Sequence, residues 1–340
     1  MAEHVVLAAN NPDLGGGELM LLRHAEVLVD LGHRVTVVSA DQPSEVLDSA
    51  AAAGADAVAI RSDGRRDYLR ALRAWDRDAR RGILWCHGLV PSLATSGHPD
   101  RIVHLHQDPR GRAQRLAAAV ARRGALATLV PSSDMSRRIR GSRSHANWTA
   151  ELPVLVGDGA RSQDVGYLGR ISTDKGVDVL ARAMKHLEPT ARLVLGGDSR
   201  YVSDEDLRAV EEDLTRLGPR VVRLGHVTPA DLFAQVGVVV FPSVWPEPFG
   251  LVAAEAMAAG VPYVVSDAGA LPEVAGPEHP WVARAGDVDD LAAVVTRALA
   301  ATPEEVRLVT DRARQRWEDE FSPRAGRMRV ERLLTDLGVG

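Results

Sequence analysis

The chain is predicted to be an α/β protein made of two doubly wound parallel-sheet domains facing a cleft. Three observations predict this. Its 340 residues are too many for one ordinary domain and fit two. Short apolar runs alternate with helical stretches from end to end, the pattern of a parallel sheet covered by helices on both faces. A glycine-rich polar stretch, 156–162, interrupts the alternation near its middle, as a linker would.

In the first half, strands are predicted at 4–8, 34–39, 55–60, 83–86, 102–105 and 126–130. A helix is predicted over 18–31, stopped by Gly32. The second half repeats the scheme, with strands at 165–168, 192–195, 221–224, 238–241 and 263–265. An amphipathic helix is predicted over 323–337. The expected domains are residues 1–158 and 159–319. Sheets of this kind bind ligands at the carboxyl ends of their strands, so chemistry is expected there.

Composition narrows the partners. Hydrophobic residues make up 45% and charged residues 26%, ordinary for a globular enzyme. A net charge of −5 gives nucleic acid no electrostatic support. The basic clusters Arg122-Arg123 and 137–140 read as solvated helix faces, compatible with at most peripheral membrane contact. The single cysteine, Cys86, follows Ile83-Leu84-Trp85 and reads as a buried strand residue. No internal disulfide can form, which makes the cytoplasm the expected compartment. The short apolar run after Met1-Ala2-Glu3-His4 reads as a strand rather than a signal peptide, and no apolar stretch of about 20 residues suggests a membrane span. Alanine- and arginine-rich, lysine-poor usage points to a GC-rich bacterial genome.

The most informative stretch is Pro246-Glu247-Pro248-Phe249-Gly250-Leu251-Val252-Ala253-Ala254-Glu255. A helix starting near Phe249, after the strand 238–241, aims its free N–H groups and positive dipole end above the sheet, a seat for a phosphate. Glu247 at the mouth can receive sugar hydroxyls, and Glu255, two turns in, a second hydroxylated group. Gly169-Arg170 and Lys175-Gly176 bracket the loop after the strand 165–168. A cation at a helix start opposes the dipole, and an anion held between Arg170 and Lys175 would relieve that. Gly15-Gly16-Gly17 opens the first helix, and glycine lets backbone approach a phosphate closely. A dinucleotide fingerprint fits poorly there, because Met20 stands where its third glycine belongs. His104 and His106 share one side of a strand, with His106 nearer the carboxyl end; His87 ends the preceding strand. For a metal, this histidine pair has no third ligand at helpful spacing.

The Glu247-Pro-Phe-Gly-Leu…Glu255 signature and the Gly169-Arg170…Lys175-Gly176 stretch resemble retaining GT-B glycosyltransferases of the family-4 type. The resemblance is strong over 165–275 and looser over 1–150. It implies two Rossmann-like domains, the first completed by the C-terminal segment 320–340. It implies a nucleotide-diphosphate sugar donor, UDP-sugar before GDP-sugar, a hydroxylated acceptor, no cofactor and no required metal. Residue by residue, Arg170, Lys175, Gly16, Gly17, Gly250 and Leu251 would hold the diphosphate. Glu247, Phe249 and Gly250 would hold the sugar, Glu255 the ribose, and the loop at Val227 the base. Glu247 and His106 would carry catalysis, with His104 the second choice. The family's Asn-Gly-Val-Asp-like interdomain stretch is replaced by Val156-Gly157-Asp158-Gly159, and the chain is short for the family. This leaves the acceptor open between a small molecule such as a bacterial natural product and a cell-envelope lipid or polysaccharide. A sugar-nucleotide epimerase of similar build and a non-catalytic nucleotide-sugar-binding protein are the competing readings.

Overall fold

The computed structural model describes residues 3–40, 44–155, 161–200 and 202–339. The chain divides into two units, Met1–Asn147 with Gly326–Gly340, and Trp148–Ala325. Residues 156–160 of the expected linker lie outside the described residues. Trp148–Leu155 pack within the second unit, not the first. The Thr149 amide donates to the Phe321 carbonyl at 3.0 Å, and the Leu155 amide to the Ala259 carbonyl at 2.9 Å. The Trp317 indole N–H donates to the Thr149 hydroxyl at 2.7 Å. The final helix, Pro323–Asp336, belongs to the first unit from Gly326 onward.

The first unit holds β1 (His4–Ala8), β2 (Arg34–Ala40), β3 (Asp56–Ile60), β4 (Ile83–His87), β5 (Arg101–His104), β6 (Ala127–Val130) and β7 (Arg143–Ser144). They form a parallel sheet of order β3-β2-β1-β4-β5-β6-β7. The helix Gly16–Asp30 returns from β1 to β2. It buries Met20, Leu21, His24, Ala25 and Leu28, the three-and-four spacing of one apolar stripe. The second unit holds β8 (Val165–Leu168), β9 (Leu193–Gly196), β10 (Val221–Gly225), β11 (Val238–Phe241), β12 (Tyr263–Ser266) and β13 (Val282–Ala283). Its order is β10-β9-β8-β11-β12-β13, again parallel. Val238, Val239 and Val240 are all but inaccessible because this sheet is covered on both faces. Burying each such side chain contributes roughly 1.5–3 kcal/mol, so a charge at Val240 would break the unit.

The predicted strands recur within a residue or two. The two-residue edge strands β7 and β13 carry too short a pattern to be read from sequence. Each sheet reverses its strand order once, between β1 and β4 and between β8 and β11. Such a reversal opens a crevice at the carboxyl ends of the strands that flank it. Among the described residues, no helix is long and apolar enough to cross a membrane.

Candidate active site

In the second unit the crevice lies beside the ends of β8 and β11. The loop after β8 is locked from both sides. The buried Tyr167 hydroxyl donates to the Arg170 carbonyl at 2.5 Å. The Val244 and Trp245 amides, in the loop after β11, donate to the Asp174 carbonyl at 3.1 and 3.2 Å. Gly176 makes this approach possible. It sits at φ +70°, and a Cβ there would lie 2.0 Å from the Pro242 carbonyl oxygen.

The consequence is a contact between two residues 72 positions apart. Lys175 Nζ lies 2.5 Å from Glu247 Oε1, with 32% and 12% of the two side chains exposed. The Ser243 hydroxyl donates to the same carboxylate oxygen at 2.6 Å, and the Ser266 hydroxyl holds the Ser243 carbonyl at 2.6 Å. The Glu247 backbone is fixed as well, bridging in parallel to Gly269, with its carbonyl accepting from the Ala270 amide at 2.9 Å. A Cβ on Gly269, at φ +63°, would lie 2.4 Å from the Glu247 nitrogen. The Lys175 charge, expected to be relieved by a bound anion, is offset here by the Glu247 carboxylate. Arg170 is likewise engaged, its Nη2 2.5 Å from Asp174 Oδ2, with 39% of its side chain exposed. The two cations therefore meet two acids of their own unit, and an incoming anion must share or replace those partners.

The helix after β11 runs Leu251–Ala259, starting two residues later than predicted. Gly250 is its N-cap at φ +101° and no side chain caps it, so its first N–H groups are open to a ligand. Glu255 stands half-buried on its second turn. Phe249 is 2% exposed, and its ring packs edge-on against Phe321, centroids 5.3 Å apart. Val227 is half-buried after β10, and its methyl group fills the space above Gly196.

In the first unit the crevice lies beside the ends of β1 and β4. Gly15 caps the helix that begins at Gly16. The Glu18 carboxyl turns back onto the Gly15 and Glu18 amides and the Asn11 side chain; burial raises its pKa and these bonds partly offset the rise. A Cβ on Gly17 would sit 3.3 Å from the His106 ring. His106 is half-buried, whereas His104 is inaccessible, so His106 is the histidine that can face a ligand. His106 Nε2 lies 2.9 Å from His87 Nδ1.

His24 and His145 join these residues around Trp85, their Nε2 atoms 3.1 Å apart. Sequence reasoning missed both, since neither stands in a motif; the one available signal was His24 on the buried stripe of its helix. Burial holds His24 down to about 3 and His106 to about 4. It also holds His87, His104 and His145 well below the usual imidazole range, reinforced by the neighbouring histidines. The expectation that His104 and His106 lack a third metal ligand is corrected here: His87 completes a trio whose ligand atoms all lie within 4.8 Å of one another. Cys86 is inaccessible on β4, its thiol pushed up to about 11 by burial, as befits a packing residue.

Residues 162–301 match a family model described as glycosyl transferases group 1. The chain is 47% identical over 116 residues to an uncharacterized glycosyltransferase of Methanocaldococcus jannaschii, a match covering 32% of this chain and 28% of that protein. It is 31% identical over 171 residues to the alpha-maltose-1-phosphate synthase of Mycolicibacterium smegmatis, covering 46% of this chain and 44% of that one. It is 33% identical over 221 residues to the D-inositol 3-phosphate glycosyltransferase of Saccharomonospora viridis, covering 58% and 47%. The matches thus span less than half the length of these curated relatives. Among solved structures, HepE of Anabaena in complex with UDP-glucose superposes with a TM-score of 0.83 at 19% identity, covering 98% of this chain and 100% of that one. Sucrose-phosphate synthase from Thermosynechococcus elongatus gives 0.82 at 20%, covering 99% of both. At these identities the likeness is one of fold, the two-domain Rossmann-like GT-B build.

Proposed function

On the premise that the chain belongs, through residues 162–301, to the group 1 glycosyltransferases of the GT-B type, we propose that it moves a sugar from a nucleoside-diphosphate donor to an acceptor hydroxyl with retention of anomeric configuration. The observation that supports this best is the Lys175–Glu247 pair beside the uncapped helix start at Gly250. Transfer leaves negative charge on a departing diphosphate. Groups already in position stabilise such charge most, because little reorganisation is needed as it develops. The N–H groups after Gly250 are open for this, and Lys175 and Arg170 join them when the anion shares them with Glu247 and Asp174. Glu247, held by Ser243 and Lys175, receives sugar hydroxyls and fixes the ring. Glu255 receives the ribose, backbone near Val227 meets the base, and Gly16 and Gly17 admit the phosphates closely. His106 contacts the transferred sugar.

UDP-sugars are the first donors to test; HepE was solved with UDP-glucose, and GDP-sugars come next. A hydroxylated small molecule is the acceptor class proposed. The experiment is a thermal-shift screen of nucleoside diphosphates and their sugars, since a ligand that binds only the folded state raises its apparent stability. Stabilising donors are then incubated with hydroxylated acceptors, and products are read by mass spectrometry and NMR. An α-linked product from an α-linked donor supports the proposal. Conversion of donor alone would mark an epimerase, and binding without turnover across lipid, polysaccharide and small-molecule acceptors would mark a binding protein. If no nucleoside diphosphate stabilises the chain, the donor assignment fails.

A further inference from the structure

We propose that the first unit binds one divalent transition-metal ion, Zn²⁺ or a chemically similar cation, through His87, His104 and His106. These residues come from the ends of β4 and β5 and the residue pair beyond β5, so the rigid sheet delivers all three to one point. Four of their six ring nitrogens are buried with no hydrogen-bond partner: His87 Nε2, His106 Nδ1 and both nitrogens of His104. Buried imidazole nitrogens are ordinarily satisfied, and leaving them so is costly. His104 is the sharpest case, being inaccessible and flanked by the His106 ring at 4.2 Å and the His87 ring at 5.3 Å.

A cation accepts one lone pair from each ring and turns mutual crowding into attraction. A tetrahedral Zn²⁺ with Zn–N distances of roughly 2.0–2.1 Å needs its nitrogens about 3.3 Å apart. His87 Nδ1 and His106 Nε2, now hydrogen-bonded to each other, stand 2.9 Å apart, and one nitrogen from each of the three rings lies within 4.8 Å of the others, so a cation that replaces this bond and draws in an unpartnered His104 nitrogen needs only small side-chain rotations. Half-buried His106 supplies the way in. Three nitrogens leave one coordination position for water or an oxygen of a small molecule. His24 and His145 have partners of their own, His24 Nδ1 meeting the Met20 carbonyl at 2.5 Å and its Nε2 meeting His145, and they back the trio without entering it.

The test is metal binding by the full chain, freed of any affinity tag and stripped with chelator. Zn²⁺ titrated by calorimetry is expected to saturate at one ion per chain, and Co²⁺ to give the visible absorption of a low-coordinate site. His104→Asn and His87→Asn are expected to lose both signals, and exposed His226→Asn to keep them. Should the Asn variants fail to fold, ¹⁵N-histidine spectra of the wild type decide: Zn²⁺ moves the ring resonances of the trio if they are ligands. Silent titrations, Zn²⁺ binding that survives in His104→Asn, or unmoved ring resonances would overturn the proposal.

Discussion

The crevices of the two units have the same topology and opposite chemistry. Each lies where strand order reverses and is flanked by a glycine-bearing turn, yet one gathers ions and the other neutral rings. Beside β8 and β11, Lys175, Glu247, Arg170 and Asp174 are partly solvated and paired. Beside β1 and β4, four histidines crowd around Trp85 and a fifth, His106, stacks on His87; burial disfavours their charged forms. The doubly wound sheet supplies a location, whereas side-chain charge and burial decide what the location can hold. Partly exposed charges suit an anion; buried lone pairs suit a cation or a neutral hydroxylated group.

The largest effect expected from breaking this contrast is at Glu247. Glu247→Gln keeps the fold and the hydrogen bond from Ser243 but removes the charge that faces Lys175. Transfer should fall by roughly 10²–10³, as when one preorganised group is lost, while nucleoside diphosphate still binds. Wild-type transfer rates in this variant would reduce Glu247 to a loop carboxylate.

Next is the backbone that aims it. Gly269→Ala places a Cβ into the Glu247 backbone at a positive φ, and chemical unfolding should show a loss of about 1–3 kcal/mol together with weaker transfer. Unchanged stability would mean that the Glu247–Gly269 bridge is dispensable.

A third measurement sharpens the contrast through pH. Imidazoles whose folded pKa is depressed bind protons more readily in the unfolded chain, so they favour folding above about 6.5 and lose that contribution as pH falls. Among the described residues the first unit holds six such histidines: His4, His87, His104 and His145, with His24 at about 3 and His106 at about 4. The second holds His279, lowered by burial to about 4. Hydrogen exchange on metal-free protein, from pH 7 down to pH 5, should therefore show the first unit opening ahead of the second. Equal acid sensitivity would contradict the account of the buried cluster.

Smallest is Arg170→Ala. Arg170 is already engaged with Asp174 and 39% of its side chain is exposed, so diphosphate affinity should drop toward the lower end of the roughly 1.5–3 kcal/mol range for charged hydrogen bonds. A loss larger than that of Lys175→Ala would reverse their ranking.

Much of this contrast was legible before any coordinates. Strand-helix alternation survives as sequence pattern because buried parallel strands are continuous apolar runs, and β8 and β11 were read where they stand. Arg170, Lys175, Glu247 and Glu255 stand out as candidates in the sequence because each sits at short range from a strand end or helix start. The Lys175–Glu247 contact was not, since it depends on backbone closeness at Gly176 and Gly269 between segments far apart in sequence. The histidine cluster was half legible: His104 and His106 share a strand face, but His24 and His145 arrive from a helix and from beyond β7. Phe249 stands in the motif, but the motif does not announce that its ring packs edge-on against Phe321. Glycine content suggests a boundary near 158, whereas the bonds of Thr149 to Trp317 and Phe321 and of Leu155 to Ala259 tie residues 148–155 to the second unit.

The proposed chemistry depends first on Lys175 binding a nucleoside diphosphate at the ends of β8 and β11. Calorimetric titration of UDP and GDP into the wild type and Lys175→Ala tests it most directly. The wild type should bind one of the two saturably, with binding weakened by roughly 1.5–3 kcal/mol in the variant, a tenfold change or more in Kd. Equal affinity in both proteins, or no binding of either nucleotide by the wild type, would contradict it.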